Sequence, residues 1–155
     1  MAKKIRREDI APVLGEMIIA FNNLEVDVAK LLSRLMRTDE VAGKLLARLA
    51  MNTKLQLIED AGKVRLKDEN QKKQLSALLK TLTKCNTERN RYVHAEYWPI
   101  MTLERNAPEA YLGMGHRRIK GILEDFERLD LTKITTLIDS VESASGAIIE
   151  FMEGI

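Results

Sequence analysis

A regular apolar stripe near the N-terminus constrains the fold more than any other feature of this chain. Its members recur at alternating intervals of four and three positions: Ile10, Leu14, Met17, Phe21, Leu24, Val28, Leu31 and Leu35. This spacing predicts one amphipathic helix over about residues 10–37, roughly 40 Å long. A helix of that length in a chain of 155 residues must pack against at least two other helices, or against a second copy of the chain.

Shorter apolar patterns predict two helices after the first one. Asp39 caps the earlier of the two, and Glu40 lies in its acidic first turn. Its apolar residues share one side: Val41, Leu45, Leu46 and Leu49. Thr53 and Gln56 match a capping box, which predicts that the next helix begins there. The apolar stripe of this next helix comprises Leu55, Ile58, Ala61 and Val64.

The second half of the chain predicts two more helices on either side of an irregular insertion. The earlier helix has a stripe at spacings of three and four: Leu75, Leu78, Leu82, Cys85, Arg89 and Tyr92. The helical pattern stops at Trp98-Pro99, which predicts a loop or short β-hairpin around 97–122. A last helix begins at Leu131 or Thr132. We therefore expect an all-α fold, in which a single domain spanning 1–155 forms an antiparallel bundle of four to five helices.

Composition excludes several classes of protein and site. A lone cysteine, Cys85, rules out an intramolecular disulfide. No apolar run approaches the ~18–20 residues of a membrane span, so a cytoplasmic location without membrane contact is the simplest inference. The sequence contains neither a glycine-rich phosphate loop nor zinc-ligand spacing. We therefore expect no cofactor and no metal.

The charge is distributed unevenly along the chain. The formal net charge is +2, but residues 124–155 contain eight acids against two bases, so the first 123 residues carry +8. This asymmetry permits a basic face for a polyanion such as RNA. Solvated helix faces of mixed sign explain it equally well.

Chemistry-bearing residues concentrate in one stretch, Glu88-Arg89-Asn90-Arg91-Tyr92-Val93-His94-Ala95-Glu96-Tyr97-Trp98. Arg89 occupies a stripe position where leucine would be expected, so its side chain should point inward or into an interface. Asn90 and His94 are four residues apart and share one helical face. Arg89 precedes His94 by five residues, about 140° around the helix, so the two do not stack on one face. A site shared between two protomers is the more economical geometry.

The residue types suit phosphodiester chemistry. Histidine titrates near neutral pH and can transfer protons, while the arginine fork of donors matches phosphate oxygens. RNA supplies its own nucleophile, the 2′-hydroxyl. The alternative is structural: Arg89 organises a buried polar network, and His94 is an ordinary helix-end histidine.

This stretch resembles the motif of HEPN domains (higher eukaryotes and prokaryotes nucleotide-binding), an arginine, a polar residue, variable positions and then a histidine near the end of a core helix. Lys54-Leu55-Gln56-Leu57-Ile58 also looks like a helix start common in bacterial members. The resemblance implies an all-α homodimer and, in many members, a metal-independent endoribonuclease. Arg89 would then bind the scissile phosphate, Asn90 would orient it or the histidine, and His94 would be the general acid and base. Arg91 and Tyr92 flank this set as substrate-binding candidates.

Three hypotheses follow from these features. The first is a dimeric ribonuclease of the toxin or defence type, with RNA as substrate and an antitoxin or other partner protein. The second is a catalytically inert helical dimer that serves as an interaction or assembly module, as some HEPN proteins do. The third is RNA or nucleotide binding without cleavage through a set of bases: Arg89, Arg91, Arg117, Arg118 and Lys120.

Overall fold

A computed structural model describes residues 7–101, 110–117 and 123–155. Within these ranges the chain forms five helices and three strands. The helices are α1 (Arg7–Met36), α2 (Glu40–Ala47), α3 (Met51–Arg65), α4 (Glu69–Val93) and α5 (Leu131–Glu153). The strands are β1 (Glu96–Met101), β2 (Ala110–Arg117) and β3 (Leu123–Arg128). The predicted all-α bundle is confirmed. No helix in the described ranges combines the length and apolarity needed to cross a bilayer.

The long first helix forms the spine of the bundle. It contacts the four other helices, and seven of the eight predicted stripe residues are buried: Ile10, Met17, Phe21, Leu24, Val28, Leu31 and Leu35. The eighth, Leu14, packs partly buried against this core. The helix begins three residues earlier than predicted, and residues 1–6 lie outside the described ranges.

Hydrogen bonds between helices fix their directions. Ser145 meets Asp27, and Arg34 donates to the carbonyl oxygen of Ile155 at 2.8 Å. The later residue of α1 contacts the later residue at the C-terminal end, so α1 and α5 run in the same direction. Helix α4 runs antiparallel to α5, because Gln71 near its start donates to the carbonyl oxygen of Gly154 at 2.7 Å.

Two details of the short helices differ from the sequence prediction. The Asp39 carboxylate caps α2 as predicted by accepting from the Ala42 amide at 2.8 Å, yet Val41 and Leu45 are 70% and 61% exposed. The capping box predicted at Thr53 is wrong, because α3 begins two residues earlier with Ala50 as a cap that offers no side-chain acceptor. The buried side chain of Met51 draws that first turn into the core.

Close packing joins α3 to α4. A Cβ atom at Gly62 would lie 2.2 Å from Cδ2 of Leu75, so this glycine sets the separation of the two helices. Gly62 is buried, whereas Val64, which the sequence placed in the core stripe, is 80% exposed.

The insertion forms an antiparallel sheet in the order β1-β2-β3. Glu96 pairs with Gly115 and Met101 with Ala110, as in the predicted hairpin. The third strand, which ends at Arg128, was not predicted. Two residues fix this region to the core, Met114 and Leu129, each 1% exposed. Parts of the predicted insertion, 102–109 and 118–122, lie outside the described ranges.

Candidate functional site

The inner face of α4 changes from apolar to polar as the helix approaches its C-terminus. Leu75, Leu78, Leu82 and Cys85 are buried in turn, and the next inward residues are Asn86, Arg89 and Tyr92. Arg89 is half-buried and points inward, as its stripe position predicted. Polar groups in such positions cost stability unless they are paired.

Arg89 is held by two contacts. Its guanidinium carbon lies 4.9 Å from the ring centroid of Phe21 in α1, within the range of a cation–π interaction. Its Nη1 donates to Oδ1 of Asn90 at 2.9 Å. Its Nε is buried and has no hydrogen-bond partner among the described residues. The guanidinium therefore keeps donors that the polar network around it does not use.

A second polar pair lies one helical turn before Arg89. The side-chain amide of Asn86 donates to Oδ1 of Asn52 at 2.7 Å and so joins α4 to α3. Asn86 is 5% exposed. The sequence did not predict this pair, because no periodic pattern marks the first turn of α3 as a neighbour of α4.

His94 lies where α4 ends. It is the C-cap, and its backbone N–H donates to the carbonyl oxygen of Asn90 at 3.1 Å. The residue is exposed, and within the described part of the chain no hydrogen bond joins its imidazole to Arg89 or Asn90. The structure thus brings Arg89 and Asn90 together and leaves His94 open to solvent, in keeping with the predicted angular separation.

The two flanking candidates lie in different environments. Arg91 is exposed and lines a depression of about 560 Å³ between α4 and α5, together with Lys84, Glu88 and Lys133. Tyr92 is only 3% exposed, so most of its side chain belongs to the core, although it also lines this depression. Of this pair, only Arg91 presents its side chain to solvent.

The described bases of the binding-only hypothesis do not share one face. Arg89 points inward and Arg91 outward, whereas Arg117 is the last residue of β2. Arg118 and Lys120 lie outside the described residues.

Tyr97 ties the first strand to the end of α4. Its hydroxyl donates to the backbone carbonyl of Tyr92 at 2.6 Å. Partial burial, with a smaller contribution from Tyr92, raises the pKa of Tyr97 to about 12. The Tyr97 hydroxyl thus stays neutral at physiological pH, and its hydrogen bond holds β1 against the end of α4. Burial likewise raises the pKa of the Cys85 thiol, which disfavours the thiolate needed of a nucleophile.

Neither metal-ligand geometry nor a comparison with known proteins adds a further functional assignment to the site. Within the described ranges, no three His, Cys, Asp or Glu side chains are grouped as metal ligands. A comparison of the chain with protein-family models, with curated proteins and with solved structures finds no match.

Proposed function

We propose that this chain is a metal-independent endoribonuclease of the HEPN type that acts as a homodimer. The observation that supports this most is the arrangement at the end of α4. A half-buried Arg89 is fixed by Asn90, and an exposed His94 follows at the C-cap. A phosphate-binding fork and a solvent-accessible proton carrier are the groups that RNA cleavage by its own 2′-hydroxyl requires.

The proposed reaction needs only protein groups and RNA. An imidazole removes the proton of the 2′-hydroxyl, the 2′-oxygen bonds to phosphorus, and the bond from phosphorus to the 5′-oxygen breaks. The leaving 5′-oxygen takes a proton from a protonated imidazole, which leaves a 2′,3′-cyclic phosphate and a 5′-hydroxyl. Arg89 stabilises the charge on the phosphate oxygens, Asn90 fixes the guanidinium, and Arg91 attracts the RNA backbone.

The angular separation of the two main groups supports the proposed dimer. Because Arg89 faces the core side of α4 and His94 lies at its exposed end, His94 of a second copy would supply the proton carrier opposite Arg89. In the cell, such an enzyme would act as a toxin or defence nuclease, with an antitoxin or other protein that restrains it.

The test is cleavage of a mixed RNA pool in the presence of a chelator, with mass analysis of the product ends. We expect 2′,3′-cyclic phosphate ends and a loss of at least about 100-fold in His94→Ala, the scale of general acid–base catalysis. His94 is exposed, so this variant should retain the wild-type unfolding midpoint. Lys73→Ala, at another exposed position of α4, is the matched control. Equal cleavage by wild type and His94→Ala would remove the histidine from the mechanism, and no cleavage by wild type would reject the enzyme.

The inert-dimer function is the second candidate, and one observation favours it. Arg89 stacks on Phe21 with Nε buried, as a purely structural arginine would. In that case Arg89→Ala would lower the unfolding midpoint. Wild type would neither cleave nor bind RNA, and light scattering would still show a dimer.

A further inference from the structure

A groove between α1 and α2 lies apart from the end of α4. Its volume is about 800 Å³, within the usual range of small-molecule sites. Small or apolar residues form much of its surface, among them Val26, Ala29 and Ala47. None of Arg89, Asn90 or His94 lines it, so an inference about this groove is independent of RNA cleavage.

One wall of the groove contains a buried lysine. Lys54 of α3 lines the groove and is only 2% exposed. Its ammonium group makes no hydrogen bond and no ion pair with any described residue. That nitrogen is not among the fully enclosed, unpaired side-chain atoms of the described residues, so it opens onto the groove. Burial of an ammonium group is costly unless a negative partner compensates its charge. Within the described part of the chain, that partner is missing.

The other charged groups around the groove are mostly engaged elsewhere. Lys44 pairs with Glu40 at 2.6 Å, and Lys30 pairs with Asp27 at 3.0 Å. The Arg34 guanidinium donates to the Ile155 carbonyl.

Five bases and three acids line the groove, which leaves an excess of positive charge. Glu25 also lines the groove but forms no ion pair with Lys54 within 4.0 Å. Arg37 lines it as well, at the left-handed residue (φ 53°) that ends α1. The first turn of α3, which precedes Lys54, has no side-chain cap, so the positive end of its dipole adds to the lysine charge.

We propose that this groove binds a small organic anion whose carboxylate or phosphate group pairs with Lys54. The apolar part of the ligand lies over Val26, Ala29 and Ala47, and Arg37 makes a second contact with the anionic group at the mouth of the groove. The Lys54 ammonium, which no described residue pairs with, selects the charge of the ligand, and the volume and apolar surface select its size.

Binding is tested by calorimetric titration of the full chain with phenyl phosphate and with benzoate. The neutral control ligand is benzyl alcohol, and inorganic phosphate reports the anion without an apolar part. We expect saturable binding of at least one aromatic anion, at least tenfold tighter than either control ligand. The two aromatic ligands distinguish a phosphate site from a carboxylate site.

Two variants test the assigned residues. Lys54→Met keeps the length of the side chain without its charge and should weaken binding at least tenfold. Ala47→Glu places a carboxylate at an exposed helical position of the groove and should weaken it similarly, even if Lys54→Met fails to fold. Lys63→Met, a matched change at an exposed site of α3 outside the groove, should bind as wild type does. Equal binding by wild type, Lys54→Met and Ala47→Glu would overturn the proposal, as would saturation by a hexaglutamate peptide but by neither aromatic anion.

Discussion

Two long cations interrupt the core-facing sides of adjacent helices, Lys54 in α3 and Arg89 in α4, and the protein treats them differently. Arg89 is half-buried, donates to Asn90 at 2.9 Å and stacks on Phe21. Lys54 is more deeply buried, at 2% exposure, yet no described residue pairs with it. The chain therefore pairs one part of its arginine and leaves Nε of that arginine unpaired, whereas the Lys54 ammonium has no partner among the described residues.

The chemistry of the two side chains accounts for this difference. A guanidinium is planar and weakly hydrated, so an aromatic face and one amide can partly replace its water. An ammonium is a compact, strongly hydrated charge, and only an anion or several acceptors can replace the water that it loses. A structural role thus fits part of what Arg89 does, whereas no residue in the described part of the chain pairs with the Lys54 ammonium.

The largest expected effect comes from removing the aromatic ring beneath Arg89. Phe21 is fully buried, so Phe21→Ala should lower the free energy of unfolding by about 3–5 kcal/mol, mostly through the cavity that it leaves. Urea unfolding measures the change. Phe21→Ala should also couple to Arg89→Met by about 0.5–2 kcal/mol in a double-mutant cycle, but not to Lys54→Met. Equal coupling to both cations would mean that the ring does not distinguish them.

Much of the bundle could be predicted because its signals are local. The stripe from Ile10 to Leu35 specifies both a helix and its buried face, and Asp39 caps α2 where the sequence placed the cap. The third strand, β3, was missed because Leu-Glu-Asp-Phe-Glu-Arg carries four charges in six residues and no alternation of apolar with polar residues. Its pairing with β2 is a tertiary contact that no local pattern encodes.

The site divides in the same way. The inward direction of Arg89 could be predicted from its place in a stripe, but its partner Phe21 could not, because the two lie 68 positions apart in the sequence and meet only through helix packing. The burial of Lys54 was not predicted, for a related reason. From the sequence alone, a lysine beside Leu55 fits the solvent-exposed edge of a helix. Only the contacts of α1 with α3 show that Lys54 lies on a covered side of α3.

The second prediction gives the two cations effects of opposite sign on stability. Arg89→Met loses the bond to Asn90 and the stack on Phe21, so the free energy of unfolding should fall by about 1–2 kcal/mol. Lys54→Met removes a charge that no described residue pairs with. The free energy of unfolding should therefore rise by about 1 kcal/mol in the absence of ligand. Urea unfolding of both variants in a buffer without organic anions measures the two changes, with Lys63→Met as a neutral exposed control. Destabilisation by both substitutions would show that Lys54 has a compensating partner in the protein itself.

The smallest expected effect concerns Tyr97. Its hydroxyl, like the Arg89 guanidinium, has a partner in the protein, but it can donate a hydrogen bond only while it keeps its proton. Its hydroxyl donates to the Tyr92 carbonyl, and its pKa is raised to about 12 from the ordinary value of about 10 in an unfolded chain. The folded protein thus holds this proton more tightly than the unfolded one. The resulting stability is fully present below about pH 10 and is lost as the pH rises towards 12.

Because Tyr97 is partly exposed, we discount the contribution for solvent screening to about 1 kcal/mol. Tyr97→Phe loses the hydrogen bond to the Tyr92 carbonyl, so it should be less stable than wild type by about 1 kcal/mol at pH 9. The difference should shrink at pH 11.5, where wild type loses stability. Urea unfolding of both proteins at the two pH values measures it, and the lysines that titrate in the same range cancel in the comparison. A difference that stays constant between pH 9 and pH 11.5 would show that the hydroxyl stabilises the end of α4 without any dependence on its proton.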